Sequence, residues 1–505
     1  MIATVLQDSI NTPTVDWAAS LPLLILGGAA LLLLLVSALT SARPGRGTYA
    51  AITVLACVFT VGSGASLWHR VTDPKHGPFT TAKGAVIVDG FSVFFVVVIA
   101  LGIALTALLA DDFLRREDLD GPELYVLMLL AGAGGVVMAM ANDLIVIFLG
   151  LETLSIALYV MAGFNRRRAQ SREAAMKYFV LGAFSSAFLL YGVALVYGAT
   201  GSTNLTKIVS FLARNSLESK GLLLGGLAML LVGLGFKVSA VPFHGWTPDV
   251  YQGAPTPVTA FMASASKAGA FAALLRVFVA TFHTHRLDWQ PIVWVLAVLT
   301  LVVGSILAIV QDDVKRMMAY SSISHAGFIL VGVQAATARG TSAALFYVLT
   351  YTFMIAGTFG VATIVAGKGD DRHGLDAYRG LSRRRPGLAL AFTVFLLAQA
   401  GVPLTSGFMA KFYVIGSAVS AHSYALAIIA MISAVISAFV YLRVVVAMHM
   451  TDETEEEAGP RVRIPFAAGI ALAASVAVTL GVGVLPGRVI HVSDRAVPAV
   501  LAPSK

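Results

Sequence analysis

The sequence predicts an all-α integral membrane protein, and three observations carry that prediction. Of its 505 residues, 58% are apolar and only 12% are charged, whereas soluble domains hold about 25% charge. The apolar residues gather into runs of about 20, the length that crosses a bilayer as a helix. None of these runs alternates apolar with polar residues, which removes a transmembrane β-barrel. Length does not divide the chain into several globules, because one helical bundle in lipid forms the core.

In chain order, runs near 20–40, 48–68, 86–110, 123–140, 143–163, 173–199, 221–241, 256–281, 291–310, 315–337, 342–366, 388–420, 424–448 and 463–484 read as about fourteen transmembrane helices. Both termini then lie on one side. No Lys or Arg precedes Arg43, so the first run lacks the basic flank of a cleaved signal peptide and is expected to stay in the mature protein. The single cysteine, Cys57, sits in the second run as a packed, inert thiol. It excludes an intrachain disulfide and any cysteine-based zinc or iron–sulfur site. The glycines of AGAGG at 131–135 fit close helix packing better than phosphate binding.

The loops set the orientation. With the termini outward, the inner loops hold Arg43, Arg46, Arg115, Arg116, Arg166, Arg167, Arg168, Arg172, Lys315, Arg316, Lys368, Arg372, Arg379, Arg383, Arg384, Arg385, Arg461 and Arg463. That is about 18 basic residues inside against about 11 outside, as the positive-inside rule requires. The net charge of +8 therefore reports topology and gives no reason to expect nucleic acid. The acidic run Asp452, Glu453, Glu455, Glu456 and Glu457 reads as a solvated part of the last inner loop.

A repeat shows in the pattern. Ala240-Val241-Pro242-Phe243 interrupts one run, and Gly401-Val402-Pro403-Leu404 interrupts another. Proline removes a backbone donor, and lipid tolerates the break only where neighbours or water satisfy the freed groups. Asn142-Asp143 and its following helix are echoed by Asp312-Asp313 and theirs. Five helices per unit is an odd number, so consecutive units must be inverted relative to each other. Broken helices at matching places in inverted repeats mark a transport site. The expected organisation is 1–122 (three N-terminal helices), 123–282 (first five-helix unit), 283–450 (second, inverted unit) and 451–505 (last loop, C-terminal helix and tail).

Ionisable residues lie deep in these runs. Glu152 stands mid-run, Lys237 precedes the Pro242 break, Lys267 lies about ten residues inside its run, and Lys411 follows the Pro403 break. His325 lies among Ser321, Ser322 and Ser324. A charge at the bilayer centre costs roughly 3 kcal/mol or more, so such residues normally face a bundle interior or a water-filled cavity. The plainer readings are snorkelling for Lys237, a helix-locking ion pair for Glu152, and a histidine satisfied by serines for His325. Snorkelling is the expected role of Arg276 and Arg443, nearer helix ends, and anchoring that of Lys177. Proton traffic is the stronger physical reading for the set. A carboxylate about 7 Å from a lysine changes its proton affinity by roughly 2 pKa units at an effective dielectric near 20. Varying the Glu152–Lys237 distance would therefore switch a neighbouring lysine between holding and releasing a proton. Walker and dinucleotide glycine motifs, metal-ligand spacings and nucleophile triads are all missing from the sequence.

The stretch FKVSAVPFHGWTPDVYQGAPTPVTAF with ASASKAGA resembles the antiporter-like membrane subunits of respiratory complex I, the proton-pumping NADH:quinone oxidoreductase. Similarity runs through most of the chain. The superfamily also includes subunits of multisubunit cation/proton antiporters and membrane-bound hydrogenases. The lysine of AGVPLTSGFMAKFYVI, and an end soon after the fourteenth helix, look most like the subunit N branch. The resemblance implies two inverted five-helix units with broken helices seven and twelve. It also implies a relay of Glu152, Lys237, Lys267 and Lys411, to which His325 corresponds less securely. It implies no cofactor in this chain, with NADH, FMN, iron–sulfur clusters and a quinone used elsewhere in the complex. The implied partners are the other membrane subunits, lipid and protons. The implied location is a bacterial inner membrane, crossed many times, with both termini extracytoplasmic.

Overall fold

The structure, a computed structural model, describes residues 14–39, 47–215, 220–450 and 463–501. The expectations placed on Arg43, Arg46, Arg461 and the acidic run from Asp452 to Glu457 fall outside the described residues.

Long apolar stretches form helices because only internal hydrogen bonding satisfies the backbone in lipid. The chain opens with α1 (Trp17–Leu39) and α2 (Thr48–Thr72). A small hairpin that the sequence reading did not foresee follows, β1 (Phe79–Thr81) and β2 (Val86–Val88). Then come α3 (Gly90–Arg116), α4 (Glu123–Met140), α5 (Leu144–Ala162) and α6 (Ala169–Thr200). After the short α7 (Leu205–Arg214), the first broken helix is α8 (Lys220–Val238) and α9 (Trp246–Gly253). Next, α10 (Thr256–Phe261) and α11 (Lys267–Leu274) form one rod with π-helical turns at Met262–Ser266 and Leu275–Thr281. The second half holds α12 (Arg286–Ile309), α13 (Val314–Gln334), α14 (Ala338–Ala366) and the single turn α15 (Leu381–Arg384). The second broken helix, α16 (Pro386–Ala400) and α17 (Ser406–Ser420), precedes α18 (Tyr424–Met450), α19 (Phe466–Val484) and α20 (Gly487–Arg495).

Among the described residues, twelve helices are long and apolar enough to cross a membrane. Two expected spans are outside that set for physical reasons. Helix α13 has 21 residues but carries Lys315, Arg316, His325 and three serines. The run expected at 388–420 is split into two 15-residue halves. The rod from Thr256 to Thr281 is wholly buried and α14 is 94% buried, whereas α1, α6 and α19 bury 28–39% of their apolar windows. The bundle is thus inside-out in its polarity. Phe179, Phe184, Phe439 and other large apolar side chains face outward, and the ionisable groups lie on the central helices.

Close approach between α4 and α5 needs glycine. A Cβ on Gly134 would stand 2.6 Å from the Gly150 carbonyl, so the AGAGG stretch serves helix packing.

Two backbone knots repeat, one at each face. Leu144 N donates to Thr203 O and Leu205 N to Asn142 O, beside the Asp143 cap of α5. Val314 N donates to His373 O and Leu375 N to Asp312 O, beside the Asp313 cap of α13. The first knot lies on the face where α5 begins. The second lies on the opposite, arginine-rich face, so the echoed Asp residues cap helices that run in opposite directions.

Candidate functional site

Lys237 is the penultimate residue of α8, just before the chain breaks. The break is held by polar contacts: Val241 N donates to Thr300 Oγ1 at 2.9 Å, and Thr247 Oγ1 to Ser239 Oγ at 2.8 Å. Lys237 Nζ lies 3.4 Å from Tyr178 OH. It is also 5.4, 5.0 and 6.0 Å from the ring centres of Tyr159, Tyr178 and Phe236. Such rings stabilise a desolvated cation by about 2 kcal/mol. Trp246, the first residue of α9, stacks on Tyr178 at 4.5 Å and donates from Nε1 to Phe236 O at 3.0 Å. Tyr178 was absent from the sequence-level candidates.

Glu152 is only half-buried, less deep than its mid-run position suggested. Its Oε1 is buried without a hydrogen-bond partner. It is the charged neighbour of Lys237, yet no ion pair within 4.0 Å joins the two among the described residues.

The rod α10–α11 presents Lys267 immediately after its first π turn. Such turns recur at functional sites because they re-aim a side chain within a helix. Lys267 Nζ donates to Ser322 Oγ at 2.6 Å and to Ser322 O at 3.0 Å. One turn along α13, His325 Nδ1 is 2.7 Å from Tyr347 OH and Nε2 is 3.1 Å from Tyr441 OH. Two tyrosines thus hold the histidine, where its plainer reading had given that place to serines. Lys411, on α17, donates to the carbonyls of Gln399 at 2.7 Å and Ala400 at 3.0 Å. Those carbonyls end the half-helix α16, where the dipole favours a cation. Lys237, Lys267, Lys411 and His325 expose only 6%, 3%, 5% and 1% of their surface, which excludes snorkelling for all four.

The match to known proteins now bears on this core. A family model described as NADH:quinone oxidoreductase/Mrp antiporter, TM, matches residues 141–437. The NADH-quinone oxidoreductase subunit N of Trichlorobacter lovleyi is 42% identical over 487 residues, 96% of this chain and 98% of that one. The chain belongs to the subunit N family of NADH-quinone oxidoreductases. A second family member, from Rhodococcus opacus, is 47% identical over 74% of this chain and 69% of its own length. Among solved structures, a chain of respiratory complex I from Thermus thermophilus with bound Aureothin is 36% identical, with a TM-score of 0.78 over 93% of this chain and 98% of that one. A chain of the Mrp complex from Dietzia shares the fold at a TM-score of 0.82 over 97% of this chain and 98% of that one, at 20% identity.

In this subunit N family member, the ion-pair partners of several charges escaped the sequence reading. Arg276 is buried, not snorkelling, and grips Asp89 at 2.5 and 2.9 Å. Burial would push the Asp89 carboxyl up, but the Arg276 charge and the Ser92 donors hold it below the usual carboxylate range. Lys315, counted above as a loop charge, is fully buried. It donates to Ala254 O at 2.7 Å and pairs with Asp370 at 3.5 Å. Asp370 also accepts from Thr256 Oγ1 at 2.6 Å and pairs with Arg168 at 3.1 Å. Lys177 is paired with Glu173 and Asp249 at 2.7 and 2.8 Å. Arg443 pairs with Asp312 at 2.5 Å. Apart from Glu173, one helical turn before Lys177, these partners lie too far away in sequence to leave a local signal.

A polar cavity of about 350 Å³ opens beside Lys177, Asp249, Arg316 and His373 on the arginine-rich face. The cavity and the Lys237 cage share two walls. Lys177 precedes Tyr178 on α6, and Asp249 follows Trp246 by one turn on α9. Among the described residues, no group of three or more His, Cys, Asp or Glu side chains could hold a metal ion.

Proposed function

We propose that this chain is a proton-translocating membrane subunit of a proton-pumping NADH:quinone oxidoreductase. It would work beside other membrane subunits of that complex, in a bacterial inner membrane, with both termini extracytoplasmic. One observation carries the reading most: three desolvated lysines sit on two broken helices and on a rod with π turns, and a desolvated histidine sits on α13 beside them, each held by hydroxyls or carbonyls. A lysine held by neutral donors and acceptors can lose its proton without leaving a carboxylate unpaired. A lysine locked in an ion pair cannot. The structural ion pairs, Arg276–Asp89 and Lys315–Asp370, lie at the helix ends, apart from this core.

The roles follow. The polar cavity at Asp249 and Lys177 admits water and protons towards Lys237. Glu152, with its free carboxylate oxygen, sets the charge that Lys237 feels. Lys267 passes the proton through Ser322 towards His325, and Lys411 delivers it at the second break. NADH, flavin, iron–sulfur clusters and quinone belong to other subunits, whose redox energy drives the changes here. Counting α13 and the broken pair α16–α17 as spans gives fourteen. The knots at Asp143 and Asp313 support units at 123–282 and 283–450.

The test is replacement of Lys237 or Glu152 by alanine in the assembled complex. Proton uptake by inverted membrane vesicles during NADH oxidation is expected to be lost, and uptake at the parent rate would leave only a scaffold. The alternative, a subunit of a multisubunit cation/proton antiporter or membrane-bound hydrogenase, predicts that the chain purifies without NADH dehydrogenase activity.

A further inference from the structure

An unbroken file of exchangeable groups runs through the second half of the bundle. Ser321 Oγ and Tyr441 OH are 2.6 Å apart, Tyr441 OH is 3.1 Å from His325 Nε2, and His325 Nδ1 is 2.7 Å from Tyr347 OH. All four residues are buried. A hydroxyl or an imidazole can accept a proton on one side and release one on the other. The file stops at Gln399. Its Oε1 accepts from Ser321 Oγ at 3.3 Å, and its Nε2 donates to Thr358 Oγ1 at 2.7 Å. An amide keeps its donor and acceptor on separate atoms, so it holds both neighbours without passing a proton between them. The main-chain carbonyl of the same residue holds Lys411 Nζ at 2.7 Å. Gln399 therefore touches the end of the file with its side chain and the lysine with its backbone. Its place in the chain is matched by Lys237, since each is the penultimate residue of the first half of a broken helix.

We propose that the Gln399 side chain is a gate, keeping Lys411 off the His325–Tyr441–Ser321 file until the amide turns away from Ser321. This rests on the proton-relay reading above and adds the point at which transfer is controlled. With the gate open, Lys411 moves on its flexible four-carbon stem from the α16 carbonyls to the Ser321 hydroxyl. A proton that has reached His325 makes it imidazolium, and Nε2 gives its proton to Tyr441. Tyr441 gives its own to Ser321, and Ser321 gives its own to the neutral Lys411 amine. One proton leaves His325 and one arrives at Lys411. Return of the amide then separates Lys411 from the file, so the proton cannot run back.

The experiment measures protons taken up per NADH oxidised by inverted membrane vesicles carrying the assembled complex. Gln399→Glu keeps the shape and places an exchangeable carboxyl between Ser321 and Lys411. The ratio is expected to fall at least twofold, because the file is then joined permanently. Gln399→Leu cannot hold Ser321 at all, which leaves the gate open, and its ratio is expected to fall as in Gln399→Glu. Thr358→Val frees the amide from α14 without touching either end of the file, and lowers the ratio in the same direction as Gln399→Glu. A purely structural role predicts parent ratios in all three whatever the amount of complex assembled, and that result overturns the gate. If Gln399→Glu fails to assemble, the ratio in Thr358→Val decides alone. Lys411→Ala separates the two claims: parent-level uptake there sinks the relay itself. Loss of uptake there, with unchanged ratios in the gate variants, sinks only the gate.

Discussion

Lys267 and Lys411 meet the cost of burial in different ways. The first is held by a side-chain hydroxyl and its own carbonyl at Ser322, the second by two carbonyls left over at a helix end. Neither has an acidic partner within ion-pair distance among the described residues, so loss of its proton would leave no carboxylate unpaired. Arginine keeps its charge in any protein environment. Lys267→Arg is accordingly expected to assemble, yet to lose at least tenfold in proton uptake by vesicles; uptake above half the parent rate would remove Lys267 from proton exchange. Arg276 behaves in the opposite sense. Its pairing with Asp89 is structural, and Arg276→Met leaves a buried carboxylate alone at a cost of about 3–5 kcal/mol. Thermal unfolding of the detergent-solubilised complex reads that loss, and a shift equivalent to under about 1 kcal/mol would restore the snorkelling view.

At the scale of the element, the second break does what a continuous helix cannot. Gly401 has φ +92, and a Cβ there would stand 3.1 Å from Lys411 Cδ. Gly401→Ala adds about 1–2 kcal/mol of backbone strain and presses on the lysine. Proton uptake is expected to fall further than NADH oxidation, and parent-like uptake would mean that the break does not position Lys411. The breaks themselves were legible, because Pro242 and Pro403 interrupt apolar runs of spanning length. So were the lysines, because hydropathy registers a charge where none is cheap. The partners were not. Asp89 lies 187 residues from Arg276, and Asp370 comes from a loop far from Lys315. Gln399 and Tyr441 carry no charge and pass as ordinary members of apolar helices. The matching positions of Gln399 and Lys237 before each break were the available signal for the former. Glu152 was placed correctly along its helix but not around it, since a run that is apolar on every side does not say which face meets the bundle.

Across the whole molecule, a buried carboxylate helps to join the two halves at the arginine-rich face, beside the Arg316–Asp249 pair. Asp370 holds Lys315 of the second half together with Thr256 and Arg168 of the first. Burial alone would raise its pKa, but the Lys315 charge and the His373 and Thr256 contacts hold it well below the usual carboxylate range. A carboxyl lowered in the folded state stabilises above its unfolded value, near pH 4, and loses that contribution as pH falls below it. Asp370→Asn is thus expected to be less stable by about 3–5 kcal/mol at pH 7, with the gap to the parent narrowing below about pH 4. Unfolding midpoints across that range check it, and a gap that widens in acid would contradict the pairing. The two knots at Asp143 and Asp313 cap oppositely directed helices, so each face of the membrane meets one copy of the same local structure. The titratable amines lie between those faces. Proton uptake per NADH in vesicles carrying Lys237→Ala, Lys267→Ala or Lys411→Ala, at matched amounts of assembled complex, reads that arrangement directly. Each variant is expected to lose at least fivefold, and uptake at the parent level in all three would show that protons cross elsewhere.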